Sequence, residues 1–378
     1  MNKEIIIFSR YFLPGYKAGG PVESIATFVK LLHKFFQFNI FTTDRDFLDK
    51  EKYPNIHLNT WQHRSDCNVF YLEKSFFSFI NYFKFFFTLQ KYQVVYLTSL
   101  FDIKFTTIPL IILKLFYRDK KIILAPRGEL YLGAISIKKR KKLIYLNFLI
   151  KTNLLSNIIW HATSAQEIDT IKNIFKKANI VMAPNIVEPK LSFFNKTKSN
   201  NILKLVFFSR ITPKKNLLYV LDLLAEIKVN TILDIYGPID DIKYWDLCKL
   251  KIKGLKLEDK VNYCGSLEKK EIFNKLSNYD LFILPTLGEN FGHVIFDAIK
   301  SGLPILISDK TPWNDLKDYN IGWSISLEDR ASYIKIMNNF NKWWIDNSNN
   351  FNKRAFNFLN NNSQINKVIL KYKSLFNS

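Results

Sequence analysis

The sequence predicts an α/β protein with two doubly wound parallel sheets, one in each half of the chain. The first reason is length, because 378 residues exceed one ordinary core and suit two domains of about 150 to 200 residues. The second is a repeated alternation of short apolar runs with amphipathic stretches, which is typical of strands and helices in such sheets. The third is a polar segment in the middle that separates two series of this alternation.

Four apolar runs in the first half are each followed by a helical pattern. The predicted strands are EIIIFS, VVYLTS, KIILAPRG and IIWHATS. The helices that follow them are SIATFVKLLHKF, TTIPLIILKLFY, KKRKKLIYLNFLI and a stretch over about residues 165–175. The alternation stops at APNIVEPKLSFFNKTKSNN, whose Pro, Asn, Ser and Lys content indicates a linker.

The alternation starts again after the linker and lasts to about residue 310. Its predicted strands are KLVFFSR, TILDIYG, VNYCG, LFILPT and PILIS, and its helices are NLLYVLDLLAEI, WDLCKLKIKGL, EKKEIFNKLS and FGHVIFDAIKSG. From Arg330 onward the spacing is helical. We therefore predict a first domain over residues 1–190, a second over 200–355, and a C-terminal helix over 356–378 that packs back on the first domain.

Composition limits the classes of function. Hydrophobic residues make up 48%, which excludes general disorder. Lys and Arg number 55 against 33 Asp and Glu, and the net charge of +22 indicates an anionic partner: nucleic acid, an acidic membrane face or a phosphorylated small molecule. An AT-rich coding sequence accounts for part of this excess.

Cysteine content and hydropathy favour a cytoplasmic protein. The three cysteines have no paired spacing, so they indicate neither a disulfide framework nor a metal site. The start of the chain is expected to be a strand and not a signal peptide. The most apolar segments, residues 76–89 and 108–116, are too short or too interrupted by Lys to cross a bilayer.

Two acids near the carboxyl end of a strand suggest a ligand site. Glu289 follows LFILPT, and the next helix opens near Phe291 and Gly292, where free N–H groups and the helix dipole favour an anion such as phosphate. Asp297 lies in that helix and leans back toward its start, where its carboxylate could accept bonds from the two hydroxyls of a ribose. Either acid alone could equally be a dipole partner or cap.

Two cations belong to the same predicted edge of the second sheet. Arg210 ends the strand KLVFFSR, and Lys215 lies five positions later, ahead of the next helix. Together they could stabilise a departing diphosphate without a metal.

These segments resemble a known family. SRITPKKNL followed by PTLGENFGHVIFDAIKSGLPILISDKTPW resembles the nucleotide-sugar site of retaining glycosyltransferases of family 4, whose signature is two Glu separated by seven residues. FLPGYKAGGPVESI, PRGELYLGA, WHATSAQEIDTI and VMAPNIV extend the similarity, which covers residues 12–323. The resemblance implies the GT-B fold, two Rossmann-like doubly wound domains facing across a cleft. Here the second acid is Asp297, one methylene shorter than Glu.

The resemblance also implies roles for the site residues. Glu289 would contact the transferred sugar. Arg210 and Lys215 would neutralise the diphosphate together with the N–H groups of Asn290, Phe291 and Gly292, and Asp297 would hold the ribose. The implied activity is transfer from a nucleotide-diphosphate sugar, most often uridine-linked, with retention of anomeric configuration and without metal or cofactor. The acceptor would be a glycan or a polyprenyl-linked sugar in polysaccharide or lipopolysaccharide synthesis.

Three residues of the first domain are further donor-binding candidates. Gly19 and Gly20 allow a tight loop whose backbone can approach a ligand, although an ordinary strand-to-helix turn would also use them. Arg127 in PRGEL could bind donor phosphate or acceptor, and a surface salt bridge is the alternative.

The basic and aromatic segments of the first domain suggest a membrane surface. SIKKRKKLIYLNFLIK (residues 136–151) places cations ahead of an apolar stretch, and FFSFINYFKFFFTLQK (76–91) is rich in aromatic residues. Both favour peripheral contact with anionic lipid at the inner face of the membrane, and a solvated basic helix is the alternative.

Three other functions would each explain part of the sequence. A GT-B nucleotide-sugar epimerase would share the diphosphate site. A nucleic-acid-binding protein would explain the charge, but no recognised binding module is found. A periplasmic sugar-binding protein is disfavoured because no signal sequence is recognised.

Overall fold

A computed structural model describes residues 3–74, 78–136, 139–188 and 202–377. The chain divides into two compact units: unit 1 contains Met1–Val187 and Ile365–Ser378, and unit 2 contains Glu188–Gln364. Each unit has its own largely parallel sheet with helices, which is the predicted fold class. The core of the predicted linker, residues 189–201, lies outside the described residues.

Unit 1 contains an eight-stranded sheet in the order β3-β4-β2-β1-β5-β6-β7-β8. All neighbours are parallel except β3, which pairs antiparallel with β4. The strands are β1 Lys3–Phe8, β2 Phe36–Thr43, β3 Trp61–His63, β4 Asn68–Leu72, β5 Val94–Leu97, β6 Lys121–Leu124, β7 Ile159–Ala162 and β8 Asn179–Met182. The apolar runs of the sequence correspond to β1, β5, β6 and β7.

Unit 2 contains six parallel strands in the order β11-β10-β9-β12-β13-β14. Chain order reverses between β9 and β12, which are hydrogen-bonded neighbours. The strands are β9 Leu203–Phe208, β10 Thr231–Tyr236, β11 Val261–Tyr263, β12 Leu281–Leu284, β13 Ile305–Ser308 and β14 Gly322–Ile325. All residues of β12 and β13 are fully buried, as expected for strands covered on both faces.

Helices connect most of the strands. They are α1 Gly20–Leu32, α2 Ser78–Phe86, α3 Ile108–Phe116, α4 Leu132–Ser136, α5 Lys139–Lys151, α6 Ala165–Ile174, α7 Leu217–Glu226, α8 Ile242–Gly254, α9 Lys269–Leu276, α10 His293–Lys300, α11 Arg330–Asn347, α12 Phe351–Ser363 and α13 Ile365–Asn377. No helix in the described ranges is long and apolar enough to span a membrane.

The last helix belongs to unit 1. Its aromatic rings pack on α1, with the rings of Tyr372 and Phe28 stacked at 5.3 Å. Lys121 Nζ donates to the Leu375 carbonyl at 2.6 Å, near the helix end where the carbonyls lack helical partners. The preceding helix α12 lies in unit 2, so the segment that joins unit 1 starts at Ile365, later than residue 356.

Two apolar clusters cover the two faces of the sheet in unit 1. One contains side chains of α1 and α13, and the other contains side chains of α2, α3 and α5. The second cluster includes the buried residues Phe85, Leu113 and Leu149, one from each of its helices.

Candidate functional site

The candidate site lies at the carboxyl edge of the sheet in unit 2, where chain order reverses between β9 and β12. Ligands of open α/β sheets bind at such a point because the loops diverge there and leave a crevice. Arg210 follows β9 by two residues, and Glu289 follows β12 by five. Both sequence-predicted side chains are thus placed at this edge.

Lys215 and Glu289 form an ion pair between these two loops. Lys215 Nζ donates to Glu289 Oε1, and the side chains are only 12% and 10% exposed. Lys215 ends a single 3-10 turn, Pro213–Lys215, and Asn216 then adopts a left-handed conformation with φ 61° that turns the chain into α7. The pair is therefore held on short, sharply turned loops.

The charge of Glu289 is set by competing effects. Burial of the side chain acts to raise the pKa of its carboxyl, because a charged group loses hydration. The positive charges of Lys215, Lys214 and Arg210 outweigh burial, and the pKa lies below its ordinary value. Glu289 is therefore an anion at neutral pH inside a cluster of cations.

Arg210 is more open to solvent than this pair. Its Nη1 donates to Asp240 Oδ2 at 3.0 Å, and 41% of its side chain is exposed. Asp240 comes from the loop after β10, where Gly237 has φ 138°. A Cβ on Gly237 would lie 1.9 Å from the Ser209 carbonyl, so only glycine lets this loop approach the end of β9.

Backbone hydrogen bonds fix the loop that carries Glu289. The N–H of Leu287 donates to the Lys214 carbonyl at 2.8 Å, and the N–H of Glu289 donates to the Lys310 carbonyl at 2.9 Å. Thr286 Oγ1 also donates to the Lys214 carbonyl at 3.1 Å. The loops after β9, β12 and β13 are thus tied together, and these bonds fix the position of the loop that carries the carboxylate.

Helix α10 begins directly after this loop. Gly292 is its N-cap with φ 78°, and Trp313 Nε1 donates to the Phe291 carbonyl. Among the described residues, the N–H groups of Phe291 and Gly292 donate to no backbone carbonyl. The beginning of α10 thus offers two backbone donors beside the Lys215 and Glu289 pair, which suits an anion. Asn290 lies in the same loop.

Asp297 lies one helical turn further along α10. It is four residues after His293, so the two side chains belong to the same face of the helix. Both are half-buried, whereas Ile295, Phe296, Ala298 and Ile299 are buried. The acid therefore lies on the open side of α10, in the turn that follows the loop of Glu289.

The three other donor-binding candidates, Gly19, Gly20 and Arg127, lie in unit 1. Gly19 is the N-cap of α1 with φ 73° and Gly20 is the first residue of that helix, so both form a strand-to-helix turn. A Cβ on Gly19 would meet no atom within 4 Å, so the backbone there faces open space.

Arg127 is held by polar groups of unit 1. Its Nη2 donates to Tyr96 Oη at 3.0 Å and its Nη1 to Asn185 Oδ1 at 3.1 Å. His161 accepts from the same tyrosine through Nδ1 at 2.7 Å and donates through Nε2 to the Ala183 carbonyl at 2.7 Å. Burial and then Arg127 lower the pKa of His161 to about 3, so this histidine is a neutral structural residue.

Four residues of the site in unit 2 had no assigned role in the sequence analysis. They are Lys214, Asp240, Gly237 and Trp313. The signals for three of them were present as the first lysine of PKK, the acids of GPIDD and a glycine directly after a strand, but their partners are distant in sequence. Within the described ranges, no three His, Cys, Asp or Glu side chains converge as a metal site would require.

Comparisons with known proteins identify the class of this fold. Residues 190–357 match the family model described as glycosyl transferases group 1. No curated protein sequence matches the chain at a significant level.

Solved structures match nearly the whole chain. Sucrose-phosphate synthase from Thermosynechococcus elongatus has 16% identity and a TM-score of 0.77 over 99% of this chain and 98% of its own. Anabaena HepE in complex with UDP and glucose has 16% identity and a TM-score of 0.71 over 99% and 98%. WaaG, a glycosyltransferase involved in lipopolysaccharide biosynthesis, has 11% identity and a TM-score of 0.66 over 98% of each chain. The chain thus has the GT-B fold, and its residues 190–357 are similar to the glycosyl transferases group 1 family.

Proposed function

We propose that this chain is a retaining glycosyltransferase of family 4 that uses a nucleotide-diphosphate sugar. The observation that carries the proposal is the Lys215 and Glu289 ion pair beside Arg210, at the switch point of the sheet. A buried acid held between cations at such an edge suits a ligand with a negative diphosphate next to a neutral sugar.

The diphosphate would be held by Lys215, Arg210 and the N–H groups at the start of α10. These donors neutralise charge that grows on the leaving phosphate as the sugar bond breaks. Arg210 is the more open of the two cations, so it can reorient from Asp240 toward a phosphate. We therefore propose that no metal ion is needed.

The carboxylate of Glu289 would face the transferred sugar. Because its pKa is lowered, it stays anionic and can accept hydrogen bonds from sugar hydroxyls or stabilise positive charge at the anomeric carbon. In this proposal the leaving phosphate accepts the proton of the acceptor hydroxyl on the same face of the sugar, which retains the configuration. Asp297, on the open side of α10, would bind the ribose.

Uridine is the proposed base, and a glycan or polyprenyl-linked sugar the proposed acceptor. HepE is similar in fold and was solved with UDP and glucose and with UDP-glucose, which supports a uridine donor. The similarity to WaaG supports a role in cell-surface polysaccharide or lipopolysaccharide synthesis. Such acceptors would place the enzyme in the cytoplasm, at the inner face of the membrane.

The test is a thermal-shift panel of nucleotide sugars followed by product analysis. A true donor raises the melting temperature by mass action, and UDP, GDP and their sugars identify the base. With that donor, nucleotide release should require an acceptor, and NMR of the glycoside should show a retained anomeric configuration. Isomerised donor without acceptor would establish the epimerase instead, and inversion would refute the retaining assignment. Binding of nucleic acid with no response to any nucleotide sugar would overturn the proposal.

A further inference from the structure

The outer side of helices α2, α3 and α5 in unit 1 presents apolar side chains to solvent. The inner sides of these helices fill one core cluster of the unit. On the outer side, large apolar residues remain 42% to 80% exposed. They are Ile80, Phe83, Leu115, Phe116, Leu143, Ile144, Phe148 and Ile150, together with Phe87 directly after α2. We call this group, with the cations of the same helices, the α2–α3–α5 surface.

Contacts show that the three helices are neighbours. At the end of α3, Tyr117 Oη donates to the Phe86 carbonyl of α2 at 3.0 Å. Tyr145 of α5 shares a hydroxyl hydrogen bond of 2.5 Å with Thr107, the residue before α3. Lys114 of α3 reaches the Ser156 carbonyl in the segment after α5. The exposed apolar side chains therefore belong to one side of one layer of helices.

The charge of this surface has a single sign. Helices α2, α3 and α5 contain no Asp or Glu, and their cations are Lys84, Lys114, Lys139, Arg140, Lys141, Lys142 and Lys151. Four of these are consecutive in the first turn of α5. A helix start normally favours acids, so a cationic first turn opposes the helix dipole and is unfavourable for folding alone.

Helix α5 presents cations and exposed apolar side chains on the same face. Arg140, Lys141, Ile144, Phe148 and Lys151 recur at helical spacing and are all exposed. Soluble surfaces seldom hold so many large apolar groups together, and such patches usually mark a binding surface. Apolar side chains among cations match the interface of an anionic bilayer, where rings and aliphatic groups enter the headgroup region and cations meet lipid phosphates.

We propose that the α2–α3–α5 surface docks unit 1 on a membrane of anionic lipid. The charge complementarity identifies the bilayer as occupant, since each exposed cation of the surface gains from a negative lipid layer. This inference deepens the proposed function, which places the enzyme at the inner face of the membrane, but the observations that carry it belong to unit 1 and do not depend on the donor or on the residues of unit 2.

The experiment is co-sedimentation of the full chain with phosphatidylcholine vesicles that contain or lack phosphatidylglycerol. Wild type should bind the anionic vesicles at low salt and bind neutral vesicles much less. Arg140→Gln with Lys141→Gln should weaken binding to anionic vesicles about 30-fold, because each cation near such a surface contributes substantially. Ile144→Ser with Phe148→Ser should weaken it at least about tenfold and remove the part of the binding that persists at high salt.

Helix α8 of unit 2 supplies matched controls. Lys249 and Lys253 are exposed cations, and Leu247 and Leu250 are 54% and 68% exposed. Lys249→Gln with Lys253→Gln and Leu247→Ser with Leu250→Ser should leave vesicle binding within about twofold of wild type. Equal losses in the controls, or equal binding to neutral vesicles, would overturn the proposal. So would self-association of wild type without vesicle binding, which indicates a protein interface.

Donor-induced thermal shifts of the same variants keep the two proposals apart. All four double variants should retain the wild-type melting temperature within a few degrees and the wild-type response to nucleotide sugar, because every substituted side chain is exposed. Vesicle binding without any thermal shift from nucleotide sugars would contradict the proposed function and would still support the docking surface.

Discussion

Lys215 and Glu289 are 74 residues apart in sequence, yet the ammonium of one donates to the carboxylate of the other. Their pairing joins the loop after β9 to the loop after β12, the two strands between which chain order reverses. The cation that we propose for the phosphate and the acid that we propose for a sugar hydroxyl are thus adjacent. Donor binding would replace this mutual pairing with contacts to the substrate.

Arg210→Ala and Glu289→Ala should each reduce sugar transfer by about 10²-fold or more, because each removes a charged group aimed at the reacting region. The two should differ in nucleotide affinity. Arg210→Ala should weaken UDP binding, whereas Glu289→Ala should retain it. Titration calorimetry with UDP and initial rates of transfer measure the difference. Asp246→Asn, at an exposed surface pair, is the control and should match wild type. Full transfer activity in either alanine variant would contradict the site.

The pH dependence of the stability of Glu289→Gln tests whether the negative charge of Glu289 stabilises the fold. The folded-state pKa of Glu289 lies below its ordinary value, so its ionised form stabilises the fold at pH values above the unfolded pKa. That contribution is lost as pH falls through the folded-state pKa. The variant should therefore melt several degrees below wild type at pH 7, and the difference should shrink as pH drops below about 4.5.

Melting curves of both proteins from pH 7 to pH 3.5 check this expectation. Other titrating groups, such as His161, are common to both proteins and cancel in the difference. A gap that stays constant over this range would mean that Glu289 carries no charge-dependent stability. Asp246→Asn should show no gap at any pH, because its partner Lys249 is exposed.

The sequence patterns predicted five of the six strands of unit 2, including the edge strand β11, and strands β1, β5, β6 and β7 of unit 1. In unit 2, LFILPT and PILIS correspond to β12 and β13, which are wholly buried and so appear as unbroken apolar runs. The edge strands β3 and β14 have three and four residues and are only partly buried, so they carry little signal. Strand β2, FQFNIFTT, was missed because Gln37, Asn39 and two threonines interrupt its apolar pattern.

The sequence predicted the positions of Arg210, Lys215 and Glu289 at this edge of the sheet, but not the residues that hold their loops in place. Glu289 and Lys215 could be placed because each follows an apolar run and precedes a helix. The partners of Arg210 and Phe291 could not, because Asp240 and Trp313 come from other loops whose proximity depends on strand order. The partners of Arg127 could not be predicted either: its guanidinium bonds to Tyr96 and Asn185, which come from other segments of unit 1.

Gly292→Ala should weaken donor binding by distorting the turn into α10. Gly292 has φ 78°, and an alanine Cβ would lie 2.9 Å from Ile295 Cδ1. The left-handed backbone alone costs about 1 to 2 kcal/mol for a residue with Cβ. Because the adjacent N–H groups belong to this turn, affinity for UDP should fall about tenfold. Gly254→Ala is the control, since no atom lies within 4 Å of its Cβ position, and it should leave affinity unchanged. Equal affinities for all three proteins would exclude this turn from the donor site.

Trp313→Phe should raise the KM for donor while changing kcat little. The indole N–H holds the Phe291 carbonyl, and the ring packs on Phe291 at 5.1 Å and on Phe358 of α12 at 5.8 Å. Phenylalanine keeps an aromatic ring but loses the N–H that donates to the Phe291 carbonyl, a hydrogen bond worth about 1 kcal/mol. The loop around Phe291 is then less ordered in the free protein, so part of the binding energy of the donor is used to order it. We expect a KM increase of about threefold to tenfold.

Trp344→Phe is the control. Trp344 is 6% exposed and Trp313 is 4% exposed, but Trp344 packs against Phe340 and Phe351 and not against this loop. It should lower the melting temperature similarly and leave KM unchanged. If both variants raised KM equally, the effect would come from general loss of packing, and Trp313 would have no specific role in positioning the start of α10.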